Sequence, residues 1–205
     1  TQIPKYGTIT LKRNKWKVTS YMGTNGTEES FLNMHGKSPR LLHLATHGFY
    51  YTPNRAENVD YLKGYTDAMS LSGLVLSGGN AAWLGKPLPK GVLGGILSAN
   101  DIARLDLSNT DMVVLSACQT GQCKATAEGL YGLQCAFKKA GVGTIVMSLW
   151  SVSDKTTSEF MTTFYERLAD KKNAWNKRKA FEEAKEIIRQ KHPDPFHWAA
   201  FVMLD

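Results

Sequence analysis

Met112-Val113-Val114-Leu115 is apolar at every position, so a strand built from it has no face to give to water. Such strands sit centrally in parallel sheets with helices packed on both sides. The flanking segments agree with that placement. Residues 125–140 carry Leu130, Leu133, Phe137 and Ala140 at helical spacing, and Gly141 stands where a helix would stop. GTIVMSLW at 143–150 is a second buried strand, and Ser153 caps a helix bearing Phe160, Phe164 and Leu168. A further helix over about 174–191 buries Ala180, Ala184 and Ile187, and Pro193 and Pro195 break it before a last strand, HWAAFVML. Strand and helix alternate, which predicts an α/β fold with a mainly parallel sheet.

Upstream, WKVTSY at 16–21 alternates as a half-buried strand does, and Thr27 caps a short helix carrying Phe31, Leu32 and Met34. Pro39 stops that helix, and residues 40–45 form a strand that delivers His47. Ser98-Ala99-Asn100-Asp101 has the form of a capping box opening a short helix. Residues 50–95 are rich in Gly, Pro and Asn, with one strand-like island, LSGLVLS at 71–77, and read as loops and a hairpin over the rim of a site.

Two strand-like runs, LLHLATHGFY at 41–50 and DMVVLSACQTG at 111–121, each end in a chemically useful residue, His47 and Cys118. At the carboxyl edge of a parallel sheet, where open α/β folds keep their crevices, these ends lie side by side. Taken singly, a Cys closing VVLSAC reads as a buried apolar side chain. The pairing is more informative, because acyl transfer by a thiol needs a base and oxyanion donors. Imidazole suits the first task near neutral pH. Gly48 offers an amide that no side chain blocks, and the Cys118 amide offers another.

His43, between Leu42 and Leu44, reads as structural. HLATH has the spacing of a helical metal pair, but in an extended strand the two imidazoles stand roughly 13 Å apart, so no metal is expected. Cys135, mid-helix, reads as a small buried hydrophobe, and Cys123 as a bystander. Three cysteines make no disulfide framework and indicate a reducing compartment.

The 205 residues suit one domain, and no apolar run reaches the length of a membrane span, so a membrane partner is not expected. The formal charge of +7 gathers at residues 12–17 and 171–179. Neither cluster matches a groove-reading or base-stacking motif, and the second opens an amphipathic helix, so nucleic acid is not an expected partner. GVLGGIL at 91–97 lacks the strand-then-helix setting of a phosphate loop, which excludes a nucleotide-binding reading.

The set HLATHGFY, LSGLVLSG, VVLSACQTG, EGLYGLQCAFKKAGVGTIVMSLWSVSD and HWAAFVMLD resembles the CHAT domain, a caspase-like, separase-related cysteine peptidase family often fused to tetratricopeptide repeats. The resemblance runs from about Thr27 to Asp205. It implies a three-layer sandwich: a central, mainly parallel sheet with helices on both faces. It also implies peptide-bond hydrolysis through a thioester, without cofactor or metal. By position it makes His47 the general base, Cys118 the nucleophile, and Gly48 with the Cys118 amide the oxyanion hole. Ser116, Trp150 and Ser151 fall at substrate-pocket positions. Ser116 stands where caspases have Gln and metacaspases Asp, and Ser151 where caspases have an aspartate-binding Arg, which disfavours cleavage after Asp.

LWSVSD resembles the separase segment LWDVTD and makes Asp154 a candidate for facing a basic side chain, although an acid in a first helical turn is also favoured by the helix dipole. Residues 1–26 read as an entry segment, and the first strand of such a sheet is expected to precede Thr1. An upstream domain or companion chain is therefore expected to supply that strand and to regulate the site, in a cytoplasmic protein whose partner is a protein or peptide substrate. The competing reading is a catalytically silent peptide-binding scaffold of the same fold.

Overall fold

The computed structural model describes residues 16–51, 56, 59–88, 92, 94–116 and 127–205. The strands are β1 (Leu41–Leu44), β2 (His47–Tyr50), β3 (Ser72–Val75), β4 (Ile96–Ser98), β5 (Met112–Leu115), β6 (Thr144–Ser148) and β7 (Phe201–Leu204). The α-helices are α1 (Glu28–Leu32), α2 (Gly79–Trp83), α3 (Ala99–Ala103), α4 (Ala127–Lys139), α5 (Asp154–Ala169), α6 (Lys177–Lys191) and α7 (Pro195–Trp198).

The main sheet has the order β1-β5-β6-β7. β1, β5 and β6 run parallel, with Leu44 opposite Leu115 and Leu115 opposite Met147, and β7 closes the edge antiparallel to β6. All four residues of β5 are buried, as a strand apolar on both faces requires. Alternate side chains feed two cores. Met112, Val114 and Val146 pack with Phe160, Phe164 and Tyr165 of α5 and Phe181 of α6. Val113, Leu115, Ile145 and Met147 pack with Phe31 of α1, Ile102 of α3 and Phe137 of α4. One sheet between two helical layers is the three-layer sandwich of the caspase-like fold.

A second, antiparallel sheet of order β2-β3-β4 rests on the same side as α3 and α4, through Leu74 and Leu97. The hairpin expected within 50–95 is therefore part of a three-stranded sheet, and its first strand is HGFY. Two glycines permit its close packing. A Cβ on Gly73 would stand 2.4 Å from the Leu97 carbonyl oxygen, and one on Gly95, at φ +78°, 2.4 Å from both Gly79 N and Ser77 O.

The caps fall where the sequence puts them: Thr27, Ser98 and Ser153 each accept from the third following amide, and Ser98 with Asp101 completes a capping box. Gly141 ends α4 at φ +94°. Other expectations are corrected. WKVTSY forms no strand. Trp16 and Val18 instead dock on the α5–α6 core, Trp16 against Trp175 with ring centroids 4.9 Å apart, so its alternation reflects packing rather than a ladder. The HWAAFVML strand begins only at Phe201, because Asp194 caps a helical turn over Pro195–Trp198. The last long helix starts at Lys177, after Ala174 and Trp175 take positive φ. Cys135 is half-buried, lining a cavity of about 330 Å³ with Asp67, Met69 and Lys139.

Candidate active site

Parallel pairing carries β1 and β5 to a common carboxyl edge, where the Ser116 amide donates to the Leu44 carbonyl at 2.9 Å. His43 lies opposite Val114, whose side chain faces α5. Period-two alternation turns Ser116 to that same face, one position beyond the end of β5. His43 Nε2 lies 2.9 Å from Ser116 Oγ, and His43 Nδ1 lies 2.5 Å from the Tyr165 hydroxyl. The sequence expectation that His43 is structural is right in so far as it is enclosed, but it missed these partners. The signal was present: Tyr165 stands four positions after Met161 and three before Leu168, on the stripe that faces the sheet.

Although His43 keeps a little solvent-accessible surface, its ring is densely surrounded. Desolvation alone lowers its pKa to about 4, with no charged neighbour contributing. Burial pushes the Tyr165 phenol in the opposite sense, upward, so the pair is neutral near pH 7. An imidazole so poor in proton affinity and without a carboxylate behind it is a weak general base, which argues against a Ser116–His43 nucleophile.

Beyond Leu44 the chain crosses from one sheet to the other within Ala45–Thr46, and the Thr46 hydroxyl donates to the Val75 carbonyl where β2 begins. His43 and His47 thus belong to different sheets, rather than to one continuous strand. His47 is exposed and its ring makes no hydrogen bond among the described residues. Its backbone is opposite Val75, and Gly48 is opposite Leu74. Since Tyr51 N donates to Leu71 O in the same register, alternation makes His47–Val75 a hydrogen-bonded pair and Gly48–Leu74 a non-bonded one. β2 is an edge strand, so the Gly48 amide points away from the ladder.

Cys118 and its amide lie outside the described residues, as does Cys123; the described part of this segment ends at Ser116. β6, beside β5, ends at Ser148 and leads into the remaining candidates. Trp150 is half-buried, its Nε1 donating to the Phe196 carbonyl at 3.0 Å. Ser151 is exposed. Asp154 is exposed at the first residue of α5, where the helix dipole favours it, and its carboxylate has no partner among the described residues. The structure thus brings Ser116 to the end of β1 and places the Trp150 segment after the neighbouring strand, while His47 and Gly48 come from the second sheet.

Comparison with known families settles the affiliation: the CHAT domain model matches residues 8–205, nearly the whole chain. The chain belongs to the CHAT domain family. The match takes in most of the lead-in as well as the region after Thr27. Among curated proteins the chain is similar to human and mouse tetratricopeptide repeat protein 28, each 31% identical over 111 residues. That alignment covers 53% of this chain and 4% of either relative, so this CHAT domain corresponds to a small part of those proteins. Among the described residues, no helix is long and apolar enough to cross a membrane.

Proposed function

We propose that this CHAT domain is a cysteine endopeptidase that hydrolyses peptide bonds of a protein substrate. The observation that carries the reading is an exposed imidazole, His47, beside an outward-turned Gly48 amide on an edge strand next to the carboxyl ends of β1 and β5. In this reading Cys118 gives its proton to His47 and its thiolate attacks the scissile carbonyl carbon. The Gly48 and Cys118 amides hold the resulting oxyanion. Protonated His47 then delivers its proton to the departing amine as the C–N bond breaks, leaving a thioester. A water molecule, deprotonated by His47, cleaves the thioester and restores the thiol.

Ser116, Trp150, Ser151 and Asp154 flank the substrate channel, with the Asp154 carboxylate the candidate for a basic side chain. An upstream module or companion chain gates the site, in keeping with the repeat proteins among its relatives, and the protein acts in the cytoplasm.

The test is cleavage of a proteome-derived peptide library. Cys118→Ala abolishes turnover, and His47→Ala lowers it by about 10²- to 10⁴-fold, as loss of a general base does. Cleavage that survives Cys118→Ala overturns the assignment. Peptide binding without cleavage, in a chain whose Cys118 resists a peptidyl electrophile, would favour the silent scaffold.

A further inference from the structure

The hydrogen-bonded row Tyr165–His43–Ser116 runs from the α5 core to the mouth of β5, and the peptidase chemistry above does not use it. Counting hydrogens decides its direction. A neutral imidazole carries one N–H, so it either donates from Nδ1 and accepts at Nε2, or the reverse. Were Nδ1 the donor, the Tyr165 hydroxyl hydrogen would need another acceptor. Among the described residues the phenol oxygen, enclosed in the core, has His43 alone. A buried donor left without an acceptor is costly. The phenol therefore donates to Nδ1, the single ring proton sits on Nε2, and Nε2–H donates to Ser116 Oγ. With its oxygen accepting from His43, the Ser116 hydroxyl keeps its own hydrogen for a further acceptor, on a half-buried side chain two positions before Cys118.

We propose that Tyr165 and His43 are positioning residues that fix Ser116 as a hydrogen-bond donor to an acceptor oxygen of the peptide seated at the carboxyl end of β5. The inference rests on the peptidase reading for its ligand and on the structure alone for its direction. The row contains no carboxylate, so Ser116 offers a neutral donor. It suits a carbonyl, carboxamide or hydroxyl oxygen of the substrate rather than a cation.

Two measurements test it. In protein labelled with ¹⁵N-histidine, a long-range ¹H–¹⁵N spectrum near pH 7.5 should show His43 as the Nε2–H tautomer. Tyr165→Phe, close in shape, should lose that single tautomer. An Nδ1–H or doubly protonated His43 overturns the inference whatever the chain cleaves. On a cleavable peptide, Ser116→Ala should raise KM roughly 3- to 10-fold, the worth of one neutral hydrogen bond, with kcat nearly unchanged. Ser116→Thr, which keeps the hydroxyl, should restore it. Equal KM for Ser116→Ala and wild type overturns the inference and leaves the peptidase reading standing. An Nε2–H tautomer with peptide binding that depends on Ser116, but no Cys118-dependent cleavage, overturns the peptidase reading and upholds the inference.

Discussion

Acid should loosen this fold through His43 in a way that one substitution can isolate. The ring is held neutral with a pKa of about 4 in the folded chain, against 6.5 in a solvated one. Between those values the unfolded chain binds a proton that the native chain does not, so stability rises with pH across the window. The full contribution is present above pH 6.5 and drains away as pH falls toward 4, below which both states are protonated. At roughly 1.4 kcal/mol for each pH unit between the two values, the loss comes to about 3 kcal/mol. Its cause is burial, since the ring's hydrogen-bond partners are the neutral Ser116 and Tyr165 and no charged group stabilises the imidazolium.

His43→Gln removes the titration while keeping a polar side chain. Urea unfolding of both proteins at pH 7.5, 6.5, 5.5 and 4.5 gives the comparison. At pH 7.5 the variant should be less stable by about 1–3 kcal/mol, because Tyr165 loses its acceptor in a buried setting. That gap should close, and can reverse, as the pH approaches 4.5. Groups that titrate in both proteins, such as Glu28, whose pKa burial raises, cancel in the difference. Parallel stability curves, with the gap at pH 4.5 equal to that at pH 7.5, would refute the reasoning.

Two substitutions probe the scaffold around the site. Gly95→Ala sets a Cβ against two backbone atoms at 2.4 Å in a left-handed conformation, with no flexible side chain to yield. It should cost at least about 2 kcal/mol and show in the melting temperature, disturbing β4 and the sheet that carries His47. Phe201→Ala removes a fully buried ring stacked on Phe160 at 4.0 Å and should cost about 3–5 kcal/mol, read as a lower urea midpoint with unchanged slope.

Much of the main sheet was legible because its signals are local. An all-apolar β5, capping hydroxyls at Thr27, Ser98 and Ser153, and a stop at Gly141 each state their element within a few residues. The failures share another cause. WKVTSY has the right alternation for a strand, but a strand also needs a neighbour to receive its hydrogen bonds, and alternation does not report one. HWAAFVML was over-extended because the Asp194 cap and Pro195 at a helix start compete with the strand pattern in the same few residues. The second sheet reads in the sequence only as a strand-like island and a hairpin, because its strands are three or four residues long and glycines that look like loop residues allow its closest contacts.

In the proposed mechanism the HLATHG segment separates two imidazole tasks. Read as one strand, His43 and His47 share a face and differ only in depth. In the fold, Ala45 and Thr46 take the chain off the parallel sheet and onto the antiparallel one. His43 stays inside, neutral and locked between Tyr165 and Ser116, while His47 emerges exposed on the edge strand of the second sheet among the described residues. A base must exchange protons with a substrate, and a positioning group must not. Burial imposes the second condition on His43 by penalising its charged form, while the change of sheet leaves His47 exposed. Exchanging the two environments would defeat both roles, since an imidazole with a pKa near 4 makes a feeble base at neutral pH. The two residues between these histidines are therefore as much a part of the site's design as the histidines themselves. A one-residue insertion between Ala45 and Thr46 should leave His43 on its tautomer while uncoupling His47 from β3 and abolishing cleavage. Retained cleavage in that variant would mean that the crossing does not set the position of His47.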